Sequence, residues 1–373
     1  MTCPSLRILF WVFLPLFVFS GNLAAQAIRI PQNQNFPSRA GRTVGVTAID
    51  IRWNAPSVRG REGKIWGGLV PYGYTVLGFG SNVESPWRAG ADECTTITFS
   101  TDVTINGKPL AAGEYAFFIA VYADSCVLIF NKNTSAWGSY FYDKTQDVLR
   151  VATTQIKNQT PLQEQLNYTF SRQTYEGVEV ALLWEYWKIP FTVGVDAKKT
   201  VLADIKRQMS GALGFDPPSL TTAANWCLQN DMNLEEALHW ATTAVEPNLG
   251  GLKTFSALST QSGLLEKLGR KAEAAETMKA ALENASAIEL HQYGRQLLSQ
   301  KKSTEAMAVF EQNFKKHNGA WPTHVGMMRG YSATGNLKKA LEHAKAALSQ
   351  APDELNKRTL TEAIKKLEEG KAL

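Results

Sequence analysis

The chain has 373 residues, of which 44% are hydrophobic and 20% are charged, a composition typical of globular proteins. Its 39 Lys and Arg residues against 34 Asp and Glu give a net charge of +5, spread along the chain. Binding along a phosphate backbone needs a concentrated basic surface, so no nucleic acid partner is predicted. At about 150 residues per domain, the length indicates two domains.

The N-terminal segment has the pattern of a secretory signal peptide. Arg7 precedes an apolar run at residues 8–19, which is too short to cross a bilayer, and small residues ending in Ala25-Gln26-Ala27 follow it. We therefore expect residues 1–27 to be removed and the protein to be exported to a periplasmic or extracellular location. No later segment reaches the roughly 18 apolar residues of a membrane helix, so no membrane span is predicted in the mature chain.

Residues 28–195 are predicted to form an all-β domain. Short segments rich in β-branched and aromatic residues alternate with turn signals such as Asn106-Gly107 and Glu176-Gly177. This pattern favours an antiparallel sandwich or jelly-roll of roughly eight to ten strands. The strand segments lie within residues 44–53, 95–99, 115–121, 127–130 and 178–193.

Four sequence motifs follow one another between residues 36 and 193. They are NAPSVRGREGKIWGGLVPYG, WRAGADECTTITFSTDVTINGKPLAAGEYAFF, LIFNKNTSAWGSYFYD and DVLRV. Together they resemble the signatures of an exported bacterial family, domain of unknown function 2911. The family's activity is not established, so the resemblance implies no catalytic residues. Residues 74–86 depart from the family pattern, and we interpret this glycine-rich stretch as an insertion in a hairpin connection.

The best candidate ligand site of this domain follows the insertion. Trp87, Arg88, Asp92 and Glu93 are close together in the chain. An indole ring can stack on a sugar while charged groups bind its hydroxyls, so these residues are predicted to bind a small polar ligand such as a carbohydrate. In the structural alternative, Arg88 pairs with a carboxylate and Trp87 belongs to the core. Asp92 and Glu93 are a poor acid and base pair, because adjacent strand residues point to opposite faces.

Two further features of this domain leave alternatives open. Residues 39–64 contain six basic and two acidic residues, which form either a solvated face or an anion-binding patch. Cys94 and Cys126 can form a disulfide in an oxidising compartment or remain buried thiols. Cys227, on a predicted helix further along the chain, is most simply a core residue.

The motifs of common catalytic centres do not occur in this sequence. All five histidines lie beyond residue 200, so the β domain cannot by itself form a Ser-His-Asp triad or a histidine-bearing metal site. GxSxG, Walker, HExxH and paired CxxC motifs are all missing. We therefore predict no catalytic residues, no cofactor and no metal. Enzymatic activity stays an alternative only as glycan chemistry performed by carboxylates.

Residues 196–219 are predicted to connect the two domains. Four apolar residues, Val201, Leu202, Ile205 and Met209, share one helical face, which indicates a bridging helix at residues 196–209. Gly211 and Gly214 follow it, and the sequence FDPPS is interpreted as a hinge.

Residues 220–373 contain a repeated helical pattern. Four segments align on a small residue, with separations of 37, 32 and 34 residues between Ala237, Ala274, Ala306 and Ala340. This spacing resembles the tetratricopeptide repeat, in which a small residue lets paired helices approach. A charged helix at residues 353–369 is predicted to cap the stack.

A repeat stack of this kind has a concave groove lined by the first helix of each pair. The resemblance to the tetratricopeptide repeat implies that five residues line this groove: Trp226, Gln229, His291, Arg295 and Arg329. The two arginines occupy equivalent positions and can jointly bind an acidic or C-terminal peptide, or else each is simply solvated. The sequence thus predicts an exported, non-enzymatic protein that binds a protein or peptide through its repeats. The alternative is a glycan-binding or glycan-active protein with its site near Trp87 to Glu93.

Overall fold

The structure, a computed structural model, describes residues 34–373 apart from the side chain of Leu249. The signal peptide predicted for residues 1–27 lies outside the described residues. An all-β region is followed by an all-α region, which confirms the predicted fold class. No helix in the described part of the chain is both long enough and apolar enough to cross a lipid bilayer.

The β domain contains two large antiparallel sheets. Its strands are β1 (Phe36–Val44), β2 (Thr47–Ala55), β3 (Thr75–Val76), β4 (Glu84–Ser85), β5 (Ala91–Phe99), β6 (Val103–Ile105), β7 (Lys108–Leu110), β8 (Gly113–Val121), β9 (Cys126–Asn131), β10 (Asp147–Thr153), β11 (Gln163–Ser171), β12 (Gly177–Glu185) and β13 (Trp187–Gly194). One sheet has the order β1-β2-β5-β8-β9-β10 and the other β11-β12-β13-β6-β7. The strands β3 and β4 pair with each other. Very short strands such as these carry no hydrophobic period, so the predicted strand number was too low.

An apolar core lies between the two large sheets. In β2, Ile49, Ile51 and Trp53 are at most 5% exposed, whereas the alternate residues Ala48 and Arg52 are exposed. This alternation is the strand period expected from the sequence. The opposite sheet contributes side chains from β12 and β13 to the same core. Burial of each large side chain contributes roughly 1.5–3 kcal/mol.

The central strand β8 is buried on both faces. Phe117 and Ile119 point into the core between the sheets, whereas Phe118 and Ala120 belong to a second apolar cluster with Ile129. Tyr142 and Tyr74, from segments outside the sheet, pack on this cluster. The outer face of the sheet is therefore covered by chain segments and not by water.

The glycine-rich residues 74–86 form a hairpin, built on β3 and β4, on this outer face. Tyr74 anchors the hairpin in the outer cluster, and the amide of Ser81 donates a hydrogen bond to the Tyr140 carbonyl oxygen at 2.8 Å. A Cβ atom on Gly80, whose φ is +68°, would lie 2.2 Å from the same oxygen. Only glycine allows so close an approach in that conformation. The hairpin belongs to the connection between the neighbouring antiparallel strands β2 and β5, in accordance with its interpretation as an insertion.

Ten α-helices follow the last strand. They are α1 (Ala197–Met209), α2 (Pro217–Asn230), α3 (Leu234–Val245), α4 (Phe255–Lys267), α5 (Lys271–Asn284), α6 (Ala287–Ser299), α7 (Ser303–Lys316), α8 (Trp321–Ala333), α9 (Leu337–Ser349) and α10 (Glu354–Glu368). The bridging helix α1 begins after Asp196, whose carboxylate accepts a hydrogen bond from the Lys199 amide at 3.0 Å. This is the contact of an N-terminal cap.

The sequence FDPPS, interpreted as a hinge, contains the start of the helix α2. Asp216 caps α2 by accepting a hydrogen bond from the Ser219 amide at 2.9 Å, and Pro217 and Pro218 form the first turn of that helix. Proline has the φ angle that a helix requires. It has no amide hydrogen, but in the first turn of a helix an amide hydrogen would have no acceptor within the helix. The two prolines therefore start a helix.

The helices α2 to α9 pack as four consecutive pairs, α2–α3, α4–α5, α6–α7 and α8–α9. The four aligned alanines, Ala237, Ala274, Ala306 and Ala340, lie on the second helix of each pair and are at most 6% exposed. Their small side chains let the helices approach closely. The charged helix α10 packs on α9 through Leu360 and Leu367 and covers the end of the stack.

The three described cysteines are free thiols. Cys94 belongs to the cluster on the outer face of the first sheet, whereas Cys126 is buried in the core between the sheets. The two side chains are thus on opposite faces, so the disulfide alternative is not realised. Burial raises the pKa of each of these two thiols to about 12, which leaves both of them protonated and unreactive at neutral pH.

Candidate functional site

A cleft of about 440 Å³ in the β domain collects three of the four predicted ligand residues, Trp87, Arg88 and Asp92. We call it the β cleft. Residues distant in the sequence complete it, among them Arg59, Arg61, Trp137, Tyr140 and Trp184.

The guanidinium group of Arg88 is held by neutral groups. Its Nη1 donates a hydrogen bond to the backbone carbonyl of Asp92 at 2.5 Å, and its central carbon lies 4.9 Å from the centre of the Tyr140 ring. Among residues 34–373 no carboxylate forms an ion pair with Arg88. The ion pair of the structural alternative is therefore not found, and the positive charge of Arg88 remains uncompensated.

The carboxylates of Asp92 and Glu93 face different clefts. Asp92 accepts hydrogen bonds from Asn35 Nδ2 at 3.1 and 3.0 Å and lines the β cleft. Glu93 accepts a hydrogen bond from Asn54 Nδ2 at 2.6 Å and lines a neighbouring cleft beside Arg52. The two carboxylates are therefore not arranged as an acid and base pair around one bond.

Four tryptophans form a cluster at the base of the β cleft. The ring of Trp66 stacks on Trp187 with centroids 4.6 Å apart, and it meets Trp87 and Trp184 edge-on at 5.7 and 5.8 Å. The indole nitrogen of Trp87 donates to the Gly90 carbonyl at 3.1 Å. Trp87 thus packs against the core, as in the structural alternative, and also lines the β cleft.

Trp184, which lines the β cleft, has a buried indole nitrogen. This residue is 1% exposed and lines the cleft, yet its Nε1 has no hydrogen-bond partner among the described residues. A buried polar group without a partner costs about 1–3 kcal/mol. Such a donor in the wall of a cleft points to a ligand with an acceptor group.

Two arginines of the basic stretch at residues 39–64 also line the β cleft, although the sequence did not assign them to it. Arg61 donates from Nε to the Val58 carbonyl at 2.9 Å and from Nη2 to the Ser57 carbonyl at 2.6 Å. Arg59 donates from Nη2 to the Gln34 carbonyl at 2.7 Å. The density of positive charge in residues 39–64 was the signal in the sequence that could have assigned them to a binding site. Only the folded chain brings this segment beside Arg88.

A second cleft, of about 370 Å³, lies in the helical domain among α6, α8 and α10. We call it the repeat cleft. Three of the five predicted partner-binding residues, His291, Arg295 and Arg329, line it. Trp321 at the start of α8 and Lys366 of α10 complete its wall. Sequence reasoning missed both residues, Lys366 because α10 was assigned only the role of a cap.

The repeat cleft is lined by the basic side chains of Arg295, Arg329 and Lys366 and the acidic side chain of Glu362, and it contains unpartnered polar groups. Burial, and next to it the charge of Arg295, lowers the pKa of the Arg329 guanidinium. Burial and the two arginines hold the pKa of His291 at about 4, so its imidazole is neutral at pH 7. Nε of Arg329, Nδ1 of His291 and Nε1 of Trp321 are buried without a hydrogen-bond partner among the described residues. In that same part of the chain, neither Arg295 nor Arg329 forms an ion pair.

The other two predicted partner-binding residues lie elsewhere. Trp226 and Gln229 are on α2, in the first helix pair, and neither lines the repeat cleft. Trp226 packs against the core of the first two pairs, whereas Gln229 is exposed. The structure thus brings together the residues of α6 and α8 and separates those of α2.

Comparison with known families identifies the first domain. Residues 37–193 match the family model described as "Protein of unknown function (DUF2911)", which confirms the resemblance of the four motifs. None of the curated proteins matches the chain.

Among solved structures, 13 chains match. A thermophilic TPR protein of Thermus thermophilus is 19% identical, with 45% of this chain and 91% of that chain covered and a TM-score of 0.29. A tetratricopeptide repeat protein of Parabacteroides merdae is 18% identical, with coverages of 47% and 65% and a TM-score of 0.29. YrrB, a TPR protein with an unusual peptide-binding site, is 15% identical, with coverages of 44% and 91% and a TM-score of 0.26.

Proposed function

We propose that the protein is an exported, non-enzymatic interaction protein whose repeat cleft binds an acidic segment of another protein. The observation that carries this proposal is the pair Arg295 and Arg329 on adjacent first helices, without an ion-pair partner among the described residues. Guanidinium groups bind carboxylates through two parallel hydrogen bonds. An acidic side chain in this cleft would relieve the repulsion between the two arginines.

The other donors of the repeat cleft support a peptide ligand. Trp321 has a buried Nε1 and Arg329 a buried Nε without a partner among the described residues, and Val325 and Met328 supply apolar surface beside them. A peptide has backbone carbonyls that accept such hydrogen bonds, as well as apolar side chains. The cleft thus suits a segment in which acidic and apolar residues alternate.

The test measures binding of a short fluorescent peptide rich in Glu and Leu by anisotropy. We expect the Arg295→Ala, Arg329→Ala double variant to bind at least about 100-fold more weakly, since each of the two lost charge-assisted hydrogen bonds costs about 1.5–3 kcal/mol. The matched control is Arg270→Ala, which removes an exposed arginine at the start of α5 paired with Glu273.

Two outcomes of this experiment would contradict the proposal. In one, the double variant binds the peptide as tightly as the unmodified protein. In the other, a peptide with Gln in place of every Glu binds equally well. Arg329 is half-buried, so the exposed single variant Arg295→Glu serves as a second probe that leaves the helix packing intact. It is expected to weaken binding of the acidic peptide and to leave binding of the Gln peptide unchanged.

A second candidate function is binding of a small polar ligand, such as a saccharide, in the β cleft. The buried Nε1 of Trp184 and the half-exposed ring of Trp137 favour it, because a sugar has acceptor oxygens and an apolar ring face. We expect Trp87→Ala to abolish saccharide binding measured by calorimetry, and Trp137→Ala to weaken it at least about tenfold without loss of folding. Unchanged saccharide binding by Trp137→Ala would contradict this candidate.

A further inference from the structure

We propose that the β cleft selects a saccharide that carries a carboxylate, an acidic sugar, over its neutral counterpart. The inference rests on the second candidate function, a ligand site in the β cleft, and names the ligand class. Three guanidinium groups line this cleft, those of Arg59, Arg61 and Arg88, whereas Asp92 is the one carboxylate among its described lining residues.

The charges of two of these arginines are not neutralised by the protein. Arg61 donates to two backbone carbonyls and Arg88 to one, and neither forms an ion pair within residues 34–373. Carbonyl oxygens orient a guanidinium group but do not neutralise its positive charge. Since a partly buried charge is costly without a counterion, an anionic group of a ligand is the chemistry that would complete the cleft.

The carboxylate of Asp92 is engaged by a neutral donor. Both of its oxygens accept hydrogen bonds from the Asn35 amide. Asp92 meets Arg88 through its backbone carbonyl, and the side chains of the two residues form no ion pair. The carboxylate of Asp92 therefore does not pair with the guanidinium group of Arg88. The remaining nitrogen atoms of that group can bind the carboxylate of a ligand.

The aromatic residues of the cleft indicate that the anion is attached to a ring. Trp137 is 50% exposed in the cleft wall, and Tyr140 holds Arg88 at its ring face. Nε1 of Trp184, without a partner among the described residues, adds one neutral donor. An exposed indole face stacks on the apolar face of a sugar, while a neutral donor binds a hydroxyl or ring oxygen. The combination fits a sugar ring with one carboxylate.

The test compares two saccharides that differ only in the carboxylate. A galacturonic acid trisaccharide and a galactose trisaccharide are titrated into the full protein by calorimetry. We expect the acidic trisaccharide to bind at least about tenfold more tightly, with an advantage that decreases as salt is added. In Arg88→Met the advantage of the acidic trisaccharide is expected to shrink, because one of the two uncompensated guanidinium groups is removed while that of Arg61 remains.

Control variants separate charge recognition from folding. Arg172→Met removes an arginine that is 80% exposed, pairs with Glu179 and does not line the β cleft, so the preference should persist. Arg88→Lys keeps the charge without the planar fork and is expected to retain part of the preference. Trp137→Ala should weaken both saccharides equally, since its ring contacts the sugar and not the carboxylate.

The failure of this inference can be distinguished from the failure of the candidate function. Equal affinity for the two saccharides, or equal weakening of both by Arg88→Met, overturns the selection of an acidic sugar and leaves a saccharide site in place. A protein that binds neither saccharide overturns the saccharide site itself and the inference with it. Binding of the acidic peptide in the repeat cleft is independent of all these outcomes.

Discussion

Replacement of Phe310 by alanine is expected to destabilise the helical domain by about 3–5 kcal/mol. Phe310 lies on α7, is 0% exposed and packs against glycines of the two neighbouring first helices. A Cβ on Gly294 of α6 would lie 2.3 Å from its ring, and a Cβ on Gly326 of α8 2.6 Å. The ring thus occupies the space that these glycines leave, and the glycines have no side chain that could fill the cavity after truncation.

The measurement is urea denaturation of the full protein, followed by helical circular dichroism. Phe215→Ala is the matched control, because this phenylalanine is 87% exposed and its removal should change the free energy of unfolding by less than about 0.5 kcal/mol. Equal effects of the two substitutions would show that Phe310 does not fill the centre of the stack.

Acidification is expected to destabilise the helical domain. The pKa of His291 is about 4 in the folded state, because of burial first and then of Arg329 and Arg295. In the unfolded chain the value returns to about 6.5, so between these pH values the unfolded state binds more protons. Stability therefore falls as the pH falls through this window. Between about pH 7.5 and about pH 5, His291 alone accounts for a loss of about 2 kcal/mol.

The histidine pair His324 and His343 is also expected to lower stability on acidification. The Nδ1 atoms of His324 and His343 are 2.9 Å apart, so one ring nitrogen must accept a hydrogen bond from the other. Burial lowers the pKa of both, and the charge of His324 lowers that of His343 further. Protonation of both rings removes the acceptor and places two positive charges side by side. The contribution of this histidine pair to the free energy of unfolding is likewise lost as the pH falls below about 6.5.

Denaturation curves over a series of pH values test this expectation. His291→Gln should reduce the decrease in stability below about pH 6.5, whereas His239→Gln, which replaces an exposed histidine of α3, should leave it as it is. A free energy of unfolding of the helical domain that stays constant down to about pH 5 would contradict the assignment of these histidines as neutral, buried groups. The same series on the Arg295→Ala variant separates the influence of this charge on His291 from that of burial.

Local patterns in the sequence were sufficient for most of the fold. The alternation of Ile49, Ile51 and Trp53 predicted a strand with one buried face, and the four aligned alanines predicted the helix pairs. These patterns arise from the strand period and the helix period, which depend on neighbouring residues alone. The sequence FDPPS contains a further local pattern, since Asp216 and the two prolines that follow are the residues of a helix start.

The ligand sites were predictable only in part. Trp87, Arg88 and Asp92 are close in the sequence and share one cleft, but Arg61, Trp137 and Trp184 come from three distant segments. Likewise Arg295 and Arg329, one repeat apart, share the repeat cleft, whereas Lys366 reaches it from the capping helix. Sequence spacing places residues within one element or one repeat. It contains no information on which distant elements meet.

The sequence by itself determined the order of the two domains, the strand and helix periods, the similarity of residues 37–193 to a known family and the positions of the small residues between paired helices. Only the tertiary structure decided that Asp92 and Glu93 face separate clefts, that Cys94 and Cys126 lie on opposite faces of a sheet, and that Arg88 forms no ion pair with any described carboxylate. The physical reason is the range of the forces involved. Backbone periods and caps depend on neighbouring residues, whereas burial, ion pairing and desolvation depend on which distant surfaces the fold brings together.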